Sequence, residues 1–88
     1  MKIKDGFVLT EAAGNSLVVA VGDRADEFSG YIKLNHTGAF IWKLIEHENK
    51  TADELARAIS AEYEISENIA KADVLAFEKA LGDAGILV

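Results

Sequence analysis

The groups most able to ligate a metal or move a proton are two histidines, His36 and His47, and 15 acidic residues. Cysteine is absent from the 88 residues. That removes disulfides, thiolate metal sites, iron–sulfur ligation and thiol nucleophiles. The densest cluster is Glu46-His47-Glu48. Consecutive residues at a helix end point in different directions and cannot converge on one ion without further ligands, so the cluster reads as a solvated turn. His36 falls in the first turn of a helix, where a neutral imidazole is a cap or a surface group. No Ser–His–Asp spacing can be placed, and the seven glycines are scattered at turn and cap positions rather than gathered in a phosphate loop. Acid–base chemistry also needs a cleft, and a chain this short has little volume in which to enclose one. The expectation is a protein with no catalytic residues, no metal and no cofactor, and hence not an enzyme.

Charge narrows the partners. The net charge is −6. Residues 1–44 carry five basic and five acidic side chains, whereas residues 45–88 carry four basic and ten acidic, so the second half holds the whole excess. Nucleic-acid binders need lysine and arginine where their helices lie, and this chain has the opposite sign there. An anionic membrane surface is disfavoured for the same reason. The longest apolar run, Leu17-Val18-Val19-Ala20-Val21, is too short to span a bilayer or form a signal-peptide core, so a cytoplasmic location is expected.

The elements that would position any site read as strands first and helices second, in one domain over residues 1–88. Phe7-Val8-Leu9 and Leu17–Val21, separated by Ala13-Gly14-Asn15, form a β-hairpin. A third strand, Tyr31-Ile32-Lys33-Leu34, alternates so that Ile32 and Leu34 share one face and Tyr31 and Lys33 the other. Asn35 caps a first helix bearing Phe40, Ile41, Trp42, Leu44 and Ile45, with Trp42 at the core or its edge. Thr51-Ala52-Asp53-Glu54 matches a capping box and opens a second helix, with Leu55, Ala58, Ile59 and Tyr63 on its buried stripe. Tyr63 is expected to anchor the core with a wet hydroxyl. Ser66 starts a longer third helix with Ala70, Val74, Phe77, Leu81 and Ala84 on one face. Gly85 sits at the left-handed C-cap position, and Ile86-Leu87-Val88 folds back onto the core. The order βββααα predicts an α+β, winged-helix-like fold: a three-stranded N-terminal antiparallel sheet followed by three helices.

A binding surface can be read from the same pattern. At about 100° per residue, Ile69, Asp73, Ala76 and Ala80 fall on one shoulder of the third helix, beside its buried stripe, with Ala72, Leu75 and Lys79 further round. Alanines on successive turns make a shallow trough that another backbone can approach. A third strand at the sheet edge would offer unpaired N–H and C=O groups beside it, and here that strand has no proline and a single lysine. An extended peptide could add to it as a further strand, the helix shoulder reading its side chains. The same edge is equally open to a second copy of the chain.

The run from Phe28 to Ile45 carries a pattern, Leu34-Asn35-x-Thr37-x-x-x-Ile41-Trp42-x-Leu44, that resembles the PqqD-like family, named for coenzyme PQQ synthesis protein D. The likeness continues through Thr51-Ala52-Asp53-Glu54-Leu55, Tyr63-Glu64-Ile65, Asp73-Val74-x-x-Phe77 and Leu81-x-x-x-Gly85-Ile86-Leu87. The resemblance implies a RiPP recognition element: a peptide chaperone that binds the leader of a ribosomally made precursor between its third strand and third helix. It implies delivery of that peptide to a modifying enzyme, commonly a radical S-adenosylmethionine protein. Carried over by position, the strand residues are Tyr31, Ile32, Lys33 and Leu34. On the helix, the shoulder derived above from the helical spacing takes that place: Ile69, Asp73, Ala76 and Ala80, with Leu75 and Lys79 beside them. The proline- and tryptophan-bearing N-terminal stretch of dedicated PQQ-pathway members is absent, so the substrate peptide stays open. The acidic second half suggests a basic side chain on the leader or the partner enzyme, with Asp73 as one contact. Of the alternatives, a winged-helix DNA binder would need a basic recognition helix, and an acyl carrier would need serine in an Asp-Ser-Leu context. A scaffold or interaction module without a role in peptide maturation would use the same edge strand.

Overall fold

A computed structural model describes residues 1–88. Strands β1 (Phe7–Ala12), β2 (Asn15–Ala20) and β3 (Tyr31–Leu34) precede helices α1 (His36–Ile45), α2 (Ala52–Tyr63) and α3 (Glu67–Asp83). The sheet is antiparallel in the order β1-β2-β3, so β3 is bonded on one side only. The expected α+β arrangement of three strands followed by three helices is therefore present. No helix is long and apolar enough to cross a membrane.

The hairpin pairs further than its apolar runs indicate. Ala13 and Gly14 both take positive φ, 53° and 78°. A two-residue turn of that hand matches the twist of the strands and lets the ladder close as far as Ala12 and Asn15. Val21, expected within the second strand, makes the last cross-hairpin bond, its N donating to Gly6 O at 2.8 Å, and is 44% exposed. The strand ends at Ala20 because Gly22 turns left-handed and opens a short 3₁₀ segment over Gly22–Asp26.

Each helix begins at the predicted cap. The Asn35 Oδ1 accepts from Gly38 N at 2.7 Å, and Ser66 Oγ from Ile69 N at 3.2 Å. At Thr51 the box is complete: Thr51 Oγ1 accepts from Glu54 N, and Thr51 N donates to the Glu54 carboxylate. These bonds satisfy amides that a helix start otherwise leaves without partners. The backbone and then the hydroxyl of Thr51 hold the Glu54 carboxyl below its ordinary range. Lys71 of α3, by hydrogen bond and charge, does the same to Asp53 of α2.

The core joins Phe7 and Val18 of the sheet to Ile41, Trp42 and Ile45, Leu55, Ala56 and Ile59, Ala70, Val74, Phe77 and Leu81, and Ile86. Trp42 is fully enclosed, and its Nε1 has no hydrogen-bond partner. Tyr63 is not a core anchor. It is 41% exposed and packs edge-on against Phe40 at the periphery, ring centroids 5.6 Å apart. The reason lies in the helix end: Glu64 already adopts φ 54°, so Tyr63 closes the last turn where α2 leaves the core. The chain ends meet in a lateral bridge that no local pattern announces. Ile3 pairs with Leu87, Lys4 N donates to Ile86 O, and Val88 N donates to Lys2 O.

Candidate functional site

A groove of about 270 Å³ lies between the free edge of β3 and the shoulder of α3. On the strand side it is bordered by Ile32, Lys33 and Leu34, and on the helix side by Asp73, Ala76 and Ala80. Ile41 of α1 with Phe77 and Leu81 of α3 supply an apolar floor that is itself part of the core. Asn35, Thr37 and Gly38 close it where β3 runs into α1.

The local sequence explains each wall. Pleating sends Ile32 and Leu34, both half-buried, toward the core, and leaves Tyr31 and Lys33 exposed on the opposite face. Every second residue of an edge strand also directs its N–H and C=O outward, unpaired. On α3, the bulky side chains at 70, 74, 77 and 81 face inward, so the adjoining shoulder is left to Asp73 and two exposed alanines. From 73 to 81 the helix rises about 12 Å, and four strand residues span about 13 Å. The groove therefore matches roughly three or four residues of an extended chain.

Gly38 sets the corner. A helix interior disfavours glycine by about 1 kcal/mol relative to alanine, but a Cβ here would stand 3.2 Å from Asn35 Oδ1 and 3.4 Å from Leu34 Cβ. The missing side chain lets the cap and the last residue of β3 fold tightly onto the first turn of α1.

Of the ten residues singled out from the sequence, Ile32, Lys33, Leu34, Asp73, Ala76 and Ala80 come together around this groove. Tyr31, Ile69, Leu75 and Lys79 do not line it. Tyr31 is 64% exposed on the outer sheet face, Ile69 lies a turn before the groove begins, and Leu75 is on the far side of α3. Lys79 is tied to Asp83 at 3.1 Å. Sequence reasoning did not single out Asn35, Thr37, Gly38, Ile41, Phe77 and Leu81 as lining residues. The signal available was Gly38, a costly residue to place inside a helix, whereas Phe77 and Leu81 were assigned to the core and their second role is invisible in a periodicity.

The electrostatics of the groove are simple. Both lysines of α3 are engaged, Lys71 by Asp53 and Lys79 by Asp83. Asp73 makes no ion pair beside the groove, and neither does Lys33 on the outer face of β3, so each charge is left for an incoming group. No three His, Asp or Glu side chains stand together as metal ligands.

Comparison with known proteins gives two matches. The family model described as coenzyme PQQ synthesis protein D (PqqD) matches residues 11–87. Among solved structures, the chain in "TbiB1 in Complex with the TbiA(beta) Leader Peptide" is 28% identical, with a TM-score of 0.76. The match covers 99% of this chain and 94% of that one. No curated protein matches.

Proposed function

This chain belongs to the PqqD family, and from that premise we propose that it is a peptide-binding chaperone. It takes the leader of a ribosomally synthesised precursor as an extra strand on β3, with α3 as the opposite wall, and presents it to a modifying enzyme. A radical S-adenosylmethionine protein is the recipient in this reading. The observation that carries it is the coincidence of a free strand edge, an alanine shoulder and an apolar floor in one groove of peptide dimensions. The similar solved chain is one held with a leader peptide, which supports the same ligand class here. Main-chain bonds to β3 supply affinity that does not depend on sequence, while Ile32, Leu34, Ala76, Ala80 and the floor accept alternate side chains. Asp73, unpaired beside the groove, favours a basic residue on the inward face of the peptide.

Titration of the isotope-labelled chain with a leader peptide encoded beside its gene tests this. Amide shifts confined to Tyr31–Leu34 and to residues 73–81 are expected, and Asp73→Ala should weaken both the affinity and its salt dependence. Perturbations elsewhere, or none at peptide concentrations far above micromolar, would overturn the reading.

A further inference from the structure

The outer face of the sheet gives Tyr31 a place that the groove does not, and it carries the Lys33 side chain beside it. The register aligns Val8, Val19 and Tyr31 in one cross-strand row and Thr10, Leu17 and Lys33 in the next. Val8 is 40% and Tyr31 64% exposed, so the first row is an apolar strip open to solvent. Both rows stop at the free edge of β3. The second ends on a lysine that has no ion-pair partner and no charged neighbour in its row.

A strand laid along β3 adds a fourth position to each row. We propose, resting on the strand-addition reading above, that the bound peptide is read on both faces. The groove reads its inward residue. Tyr31 and Lys33 read the two outward residues on either side, selecting an aromatic or β-branched residue beside Tyr31 and an acidic residue beside Lys33. The peptide then carries an aromatic or β-branched residue and an acid two positions apart, with an apolar residue between them opposite Ile32. Side chains directly opposite on adjacent strands stand about 5 Å apart, so each pair contributes roughly a two- to fivefold change in affinity. Lysine on an edge strand can also serve only to discourage unwanted pairing. That role needs no particular residue opposite, and the two accounts therefore differ in what they select.

A library of random 12-residue peptides displayed on phage, selected on the immobilised full chain, supplies the probes. Enriched sequences, made as labelled synthetic peptides, are titrated by fluorescence anisotropy against wild type, Lys33→Glu, Tyr31→Thr and Ala80→Trp. Enrichment of an acid two positions from an aromatic or β-branched residue is expected. Lys33→Glu should weaken those peptides about fivefold, less at high salt, and a repeat selection on it should place lysine or arginine at the same position. Tyr31→Thr should cost about threefold. Binding that Ala80→Trp abolishes but Lys33→Glu and Tyr31→Thr leave unchanged overturns the outward reading and leaves the groove intact. Binding that survives Ala80→Trp overturns strand addition here, and the outward reading with it.

Discussion

Ile41, Trp42, Leu55, Ile59, Val74 and Leu81 are wholly enclosed, whereas in the sheet only Val18 reaches that depth, with Phe7 close behind. The helices carry their own terminal bonds at Asn35, Thr51 and Ser66, and α2 is tied to α3 by the Asp53–Lys71 pair. The sheet has a single side-chain bond across its hairpin, from Ser16 to Glu11 at 3.1 Å. It also leaves β3 without a second neighbour. The difference is instructive because the groove lies along the seam. A finished helical layer provides a rigid wall and floor, and an unfinished sheet provides the bonding capacity.

The largest test of this contrast is a matched pair of truncations. Leu81→Ala should destabilise the chain by about 2–5 kcal/mol, while Val19→Ala, on the outer sheet face, should cost less than about 1 kcal/mol. Urea unfolding measures both, and equal losses would erase the distinction. Trp42 sharpens it: Trp42→Ala belongs with Leu81→Ala, but Trp42→Phe should cost far less than that truncation. It removes the buried Nε1–H that has no acceptor, which offsets part of the lost volume. Next in size is Thr51→Ala, expected to cost about 1 kcal/mol through the lost cap.

The Thr51 cap and the Asp53–Lys71 pair also have a pH signature. Glu54 and Asp53 titrate lower in the folded chain than unfolded. Their contribution is complete above the ordinary carboxylate range and is lost as pH falls through the depressed folded values. The urea midpoint should therefore fall on acidification through that window, and fall less in the Asp53→Asn, Glu54→Gln double variant. The smallest effect is a gain. Glu64 holds a left-handed conformation at φ 54°, so Glu64→Gly should raise stability by a few tenths to about 1 kcal/mol.

The same contrast marks what was legible beforehand. Helix starts depend on residues three apart, so Asn35, Thr51 with Glu54, and Ser66 announced themselves. The alternation of Tyr31–Leu34 was equally local and placed β3 with its correct faces. The unread features join distant stretches or depend on backbone hand. Nothing in Lys2-Ile3-Lys4 signals a bridge to Leu87, and Ala13 does not advertise a left-handed turn. The stripe containing Tyr63 had the right period, but α2 outlasts the core it packs on. In the groove, the edge and the alanine shoulder were readable from strand and helix periods. The floor was not, because Phe77 and Leu81 serve the core and the groove with one side chain each.

The bridge between Ile3 and Leu87 has a consequence for how this unit can be connected to others. Paired antiparallel residues lie about 5 Å apart at their Cα atoms, so a polypeptide entering at one and leaving at the other does both at a single point. Such a unit can be spliced into a surface loop of a larger enzyme, or circularly permuted through a short linker, without stretching either junction.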